Sequence, residues 1–183
     1  MSKLRDHEHY ERAFEAWLRQ RRVPYVPVQQ VRRAADREGP LKNFDYLVHA
    51  GPRHYIVDVK GKHFPQTSRG RDTWWENWIH YADLEGLFAW ESHFGEGYTA
   101  LLVYCYWLQL PPGDESARKT LTTGGRDYLL VAIPARTFAE NCRRRSTRWQ
   151  AVHVPMREFT SLVRPVEHFI SDASGPLSRG QGE

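Results

Sequence analysis

Apolar positions recur first at helical spacing. Tyr10, Phe14, Trp17 and Leu18 fall at i, i+4, i+7 and i+8, one buried stripe, and predict a helix over Glu8–Arg22 that Pro24 stops. Residues 25–33 set Val26, Val28 and Val31 among prolines and predict an edge strand, followed by a loop over Ala34–Leu41. Two strand-like runs, Phe44–His49 and His54–Lys60, flank Ala50-Gly51-Pro52-Arg53, a turn of hairpin length. Gly61–Asp72 is polar and predicts a loop. Trp74, Trp75, Trp78, Ile79, Ala82, Leu84, Leu87 and Phe88 predict a second helix over 73–93, closed by Gly95 and Gly97. Tyr98–Leu110 is almost continuously apolar between glycine and Pro-Pro, the pattern of a central strand buried on both faces.

Beyond it, the pattern predicts a polar loop over Pro111–Arg126, a buried strand over Tyr128–Ile133 and a short helix over Pro134–Arg144. A strand over Trp149–Val154 and a short helix after Pro155 follow. Residues 171–183 have nothing to bury and predict a disordered tail. No internal repeat is present. The order α-β-β-β-α-β-β-α-β predicts an α/β fold, one mixed central sheet flanked by helices, as a single domain over residues 1–170.

Composition narrows the class. The 183 residues are 40% hydrophobic and 26% charged, an ordinary globular mix. No apolar run is long enough for a membrane span, and the first residues have no apolar core of the kind a signal peptide carries. Two cysteines, Cys105 and Cys142, suffice for neither a disulfide framework nor a four-cysteine zinc site, and a cytoplasmic location is expected. The net charge of +4 is mild, but the basic residues cluster. Lys60, Lys62, Arg69 and Arg71 form one group and Arg143, Arg144, Arg145 and Arg148 another, near aromatic residues, the footprint of a phosphate-backbone partner. Solvated arginine faces are the competing explanation.

The chemistry-bearing residues converge on the predicted hairpin. A period of two puts Asp58 and Lys60 on one face of their strand, where a carboxylate can hold a divalent cation and an ammonium can orient water and stabilise charge on an attacked phosphate. Asp45 lies in the preceding strand and can approach Asp58; two carboxylates plus water oxygens suit Mg²⁺. A strand-end cap, or a pair with Lys42, would also explain Asp45. On the first helix, Glu11 and Glu15 sit at about 100° and 140° from Tyr10, with the apolar stripe centred near 30°. Glu11 therefore borders the buried face and is the expected helix carboxylate at a metal, with Glu15 an outer partner or an i, i+4 pair with Arg19. His9 either contacts phosphate or caps the helix start. Asp83 and His80 on the second helix could reach substrate, with surface exposure the commoner outcome for such residues.

Helix Glu, strand Asp and strand Asp-x-Lys together resemble the PD-(D/E)XK nuclease superfamily, over the αβββαβ core from about Glu8 to Leu110. The thirteen-residue step from Asp45 to Asp58 is similar to that of archaeal Holliday-junction resolvases, as is Leu18 seven residues after Glu11. His9–Glu15 matches the HYExAFE signature of a family of largely uncharacterised bacterial proteins. Phe44 stands where the superfamily's namesake Pro would precede Asp45, and Asp58 where Glu is more frequent. The resemblance implies a restriction-endonuclease-like fold and hydrolysis of phosphodiester bonds with Mg²⁺ or Mn²⁺. Asp45, Asp58 and Glu11 would bind the metal, Lys60 would position the water, and Glu15, His9 and Asp83 would stand in an outer shell. Lys62, Arg69, Arg71, Arg143, Arg144 and Arg145 would contact nucleic acid, with DNA expected. The alternative is a catalytically weak nucleic-acid-binding or partner-binding module on the same fold. A resolvase working as a homodimer is a third reading that the sequence does not separate from the first.

Overall fold

The computed structural model describes residues 5–28, 35–36, 39–64, 66–68, 71–108, 120–146 and 148–171. The predicted tail beyond Ser171 lies outside them. Helix α1 (Arg5–Gln20) leads into β1 (Tyr25–Pro27), a short hairpin β2 (Ala35–Asp36) and β3 (Gly39–Pro40), and then β4 (Tyr46–Ala50) and β5 (Arg53–Phe64). A second small hairpin, β6 (Gln66–Ser68) and β7 (Arg71–Trp74), precedes β8 (Ile79–His80), α2 (Tyr81–Phe94) and β9 (Tyr98–Leu108). The chain continues through β10 (Thr120–Thr123), β11 (Arg126–Pro134), α3 (Ala135–Asn141), β12 (Arg143–Ser146), β13 (Ala151–His153) and α4 (Met156–Leu162). It ends in β14 (Arg164–Pro165) and a 3₁₀ turn, Val166–His168.

The main sheet runs β1-β4-β5-β9-β11-β10, with β14 also pairing β11. Its β5–β9 pair is parallel, in register from His54↔Tyr98 to Phe64↔Leu108, and its other pairings are antiparallel. Parallel strands need a crossover, and α2 supplies it. Each face of the sheet carries its own core. Tyr10, Phe14, Trp17 and Leu18 of α1 pack on Tyr46, Val57, Val103 and Leu130, and Leu84 and Leu87 of α2 pack on Ile56, Leu102 and Tyr104. No described helix is long and apolar enough to cross a membrane.

Two local devices set α1. Its end closes with Arg22 in the left-handed region (φ 53), with the Val23 and Arg22 amides donating to the carbonyls of Leu18 and Arg19. Its start rides on β5 at Gly61, where an added Cβ would stand 2.0 Å from the Tyr10 ring. Only glycine lets the ring lie directly on the strand.

Several expectations change: short strands stand in the loops expected over Ala34–Leu41 and Pro111–Arg126, and three further differences bear on the site. The second helix begins at Tyr81, not residue 73, because the tryptophan segment is tied down as extended chain. Tyr104 and Tyr106 donate their hydroxyls to the carbonyls of Asn77 (2.7 Å) and Glu76 (2.9 Å), and the Asn77 side chain bonds both the N–H and the C=O of Val154 at 2.9 Å. The stretch from Gly61 is not loop at its start: β5 continues to Phe64 under β9. The third helix stops at Asn141, and Arg143-Arg144-Arg145 form a strand in a separate sheet, β12-β13-β8.

Asn77 is 4% exposed, so Asn77→Ala leaves a buried amide N–H and carbonyl of Val154 without partners. The expected loss is roughly 2–4 kcal/mol, read as a lower denaturation midpoint with an unchanged slope.

Candidate active site

The β4–β5 ladder ends at Tyr46↔Val57, with the Asp45 amide still donating to the Val57 carbonyl at 2.9 Å. Asp45 thus sits one step beyond the ladder, opposite Asp58 on the α2 side of the sheet. Its Oδ2 accepts the Val59 amide at 2.7 Å, so a carboxylate takes the place of the next strand carbonyl. Asp45 and Asp58 are 7% and 6% exposed. Burial, then the charge of Asp58, push the Asp45 carboxyl up to about 8; the Val59 amide pulls the other way, Glu11 adds to the rise and Lys60 opposes it.

Lys60 is held between two acids. Its Nζ lies 2.6 Å from Oδ2 of Asp58 and 2.8 Å from Oδ2 of Asp83. Asp83 is 4% exposed, not the surface residue its place near a helix start suggests. Its Oδ2 also accepts the His80 amide at 3.2 Å, and its Oδ1 pairs with Lys42. Lys42 therefore turns to Asp83 instead of Asp45. The Lys42 segment is clamped by α2: Trp90 Nε1 donates to the Lys42 carbonyl at 2.9 Å, and a Cβ on Gly86 would stand 2.9 Å from that oxygen. Burial, then the charge of Lys60, lower the Lys42 ammonium.

The helix acids divide. The Tyr46 hydroxyl donates to the Glu11 carbonyl at 3.1 Å, which brings α1 to the β4 edge and the Glu11 charge into the field of Asp45. Glu15 faces β1, where Arg19 (2.6 Å) and the Tyr25 hydroxyl (2.7 Å) share its Oε1. His9 lies over β9 and β11, its Nδ1 2.8 Å from the Tyr128 hydroxyl and its ring edge-on to Trp107.

The basic residues are dispersed. Lys62 reaches Glu76 at 3.7 Å and stands 4.0 Å from the centre of the Trp78 ring. Burial lowers its ammonium to about 8 against the pull of Glu76, with Lys60 and Arg145 lowering it further. Arg145 sits at a β12 bulge with its guanidinium 5.7 Å from the same ring. Arg143 pairs with Glu158 at 3.0 Å, and Arg144 lines a cleft with Tyr81 and Glu85. Arg69 lies outside the described residues, as does the side chain of Arg71. Trp75 packs on Phe64 and Tyr106, a core role, while Trp78 faces the cations. The sequence offers Lys42 only as a partner for Asp45 and does not mark Glu76, which lies in no motif; the partners of both come from the fold.

Among the described residues, no three His, Cys, Asp or Glu side chains are grouped closely enough to hold a metal. Mg²⁺ commonly takes one or two protein carboxylates and keeps several waters. The Asp45/Asp58 pair fits that demand, since its buried like charges call for a proton or a cation between them. A cleft of about 280 Å³, lined by Lys60, Lys62, Trp78, His80 and Asp83, opens beside it.

No family model matches the chain. No curated protein matches it either. Among solved structures, its fold is similar to that of Archaeoglobus fulgidus Hjc, a Holliday junction resolvase from an archaeal hyperthermophile. The TM-score is 0.50 at 12% identity, over 89% of this chain and 98% of that one. The fold is restriction-endonuclease-like, as the resemblance implies, with the mixed central sheet and flanking helices that the element order predicts.

Proposed function

We propose that the chain is a nuclease that hydrolyses phosphodiester bonds in DNA with Mg²⁺ or Mn²⁺. The observation that carries this reading is the meeting of Asp45 and Asp58 at the end of the β4 ladder, with Lys60 fixed beside them by Asp83. Clustered carboxylates repel a polyanion unless a cation lies between them, so a site built only to bind nucleic acid has no use for this pair. Asp45 and Asp58 would hold the metal, with Glu11 at its margin; the metal supplies Lewis-acid charge and a more acidic water. Lys60 donates one hydrogen bond to Asp83 and pairs by charge with Asp58, which leaves N–H groups to orient water or stabilise charge on the phosphate. The Hjc-like fold and the HYExAFE signature at His9–Glu15 support the same superfamily. A homodimer and a branched substrate are extensions of that likeness.

A panel of linear duplex, single strand, flap, four-way junction and RNA, incubated with Mg²⁺ or Mn²⁺, tests the reading. Cleavage of at least one DNA substrate is expected, EDTA should abolish it, and Ca²⁺ should support binding with little turnover. Cleavage that persists in EDTA would sink the metal assignment. The second reading, a binding module without catalysis, draws on Lys60 and Lys42, which already neutralise Asp83 and Asp58 from within. Tight DNA binding with no cleavage in either metal would favour it.

A further inference from the structure

A second cavity, of about 310 Å³, is lined by Trp75, Glu76, Asn77, Arg145, His153, Val154 and Met156. Its size is at the lower end of the roughly 300–1,000 Å³ that small-molecule sites occupy. It shares a wall with the cleft beside Lys60. Trp78, which lines that cleft, donates its indole N–H to Oε1 of Glu76, and Lys62 reaches the same oxygen. Arg145, on the cavity side, faces the Trp78 ring that Lys62 approaches from the cleft. Glu76 is thus met by an indole N–H and by Lys62, and Arg145 adds a further cation along the wall.

The wall is rigid: the Tyr104 and Tyr106 hydroxyls and the Asn77–Val154 pair hold residues 76–77 from beneath. His153 lines the cavity; its Nδ1 is buried beside the Arg143 backbone and makes no well-aligned hydrogen bond among the described residues. Burial, then the charges of Arg145 and Arg143, lower the imidazole against the pull of the Arg143 backbone and favour the neutral ring, which has one donor and one acceptor nitrogen. Trp75 and Met156 supply apolar surface.

These features together are what an unpaired base requires: apolar walls, one polar atom to meet its edge, and cations outside for the phosphates on either side. A base that remains paired in a duplex cannot enter such a cavity without leaving its stack. Resting on the nuclease reading, we propose that the Lys60 cleft and the cavity form one track for an unpaired DNA strand. Its phosphates follow Lys62 and Arg145, and one base enters the cavity between Trp75 and Met156 against His153. The substrate class is then DNA carrying an unpaired segment at the cut, not continuous duplex.

Fluorescence anisotropy in Ca²⁺, with a labelled single strand and a duplex of equal length, tests this. The single strand should bind about tenfold tighter, the scale of one stacked base. Met156 is 45% exposed, so Met156→Trp fills the cavity without entering a core. It should remove the preference and leave duplex affinity within about twofold. An abasic site moved along the strand should weaken wild-type binding about tenfold at one position only. Equal affinity for the two DNAs, a flat abasic scan, or a preference that survives Met156→Trp would overturn the track, as would failure to bind either DNA. Duplex cleavage in Mg²⁺ with a flat scan would remove the track and leave the metal centre standing. An intact scan with no cleavage of any substrate would do the reverse.

Discussion

Lys60→Ala should slow strand cleavage by about 10²–10³ under single-turnover conditions while DNA affinity changes by no more than about threefold. The asymmetry follows from where the ammonium sits. It is hydrogen-bonded to Asp83, ion-paired with Asp58 and largely withdrawn from solvent, at 17% side-chain exposure, so on the proposed reading it acts on the reacting phosphate and adds little to binding. Binding in contrast draws on many cations along the surface. The substitution also strips two buried carboxylates of a partner, and some stability is lost. Lys42, still paired with Asp83, limits that loss. Melting curves of the variant therefore accompany the kinetics, which are measured well below its midpoint. A variant that is folded and cleaves within threefold of wild type would reduce Lys60 to a strut between two acids.

Mg²⁺ affinity should rise about fifty-fold between pH 6 and pH 8. A carboxyl pushed up to about 8 is ionised in roughly one molecule in a hundred at pH 6 and in half at pH 8, and only the ionised form ligates metal. The groups facing Asp45 fix the direction. Burial and the charges of Asp58 and Glu11 raise it, and the Val59 amide and Lys60 restrain it. The sign for stability is the opposite of the usual carboxylate case. Asp45 keeps its proton in the folded chain up to about pH 8 but releases it near pH 4 when unfolded, so the metal-free fold loses stability as pH rises through that window. Titration calorimetry in buffers of different ionisation heat should show close to one proton released per metal at pH 6. Asp45→Asn should remove both the release and most of the affinity. Affinity that does not change with pH would show that Asp45 is already ionised, or stands outside the metal's reach.

Much of this arrangement is legible along the chain because it rests on short-range periodicity. The stripe of α1, the unbroken run of β9 and the Asp58/Lys60 alternation each follow from which side of a helix or strand a residue occupies. The hairpin brings Asp45 to Asp58 by loop length alone. What escapes the sequence depends on distant partners. Trp74, Trp75 and Trp78 have helical spacing, yet the hydroxyls of Tyr104 and Tyr106 and the backbone of Val154 draw their segment straight. Asp83 reads as a surface acid until Lys42 and Lys60 arrive beside it from other parts of the chain. The β10–β11 hairpin corrects the polar loop expected over Pro111–Arg126: Gly124-Gly125 carries positive φ at both residues, the two-residue turn that glycine pairs favour.

Gly61 gives the drift of this sequence a direction. Because the ring of Tyr10 rests on its bare backbone, the two positions cannot change independently. Any side chain at 61 lifts the helix off the strand and carries Glu11 away from Asp45, unless position 10 shrinks in the same lineage. Related sequences that keep tyrosine at this place are therefore expected to keep glycine, and a larger residue at 61 is expected only beside a smaller one at 10. A pair of positions fifty-one residues apart is thus expected to travel as one heritable unit, tied by the thickness of an aromatic ring.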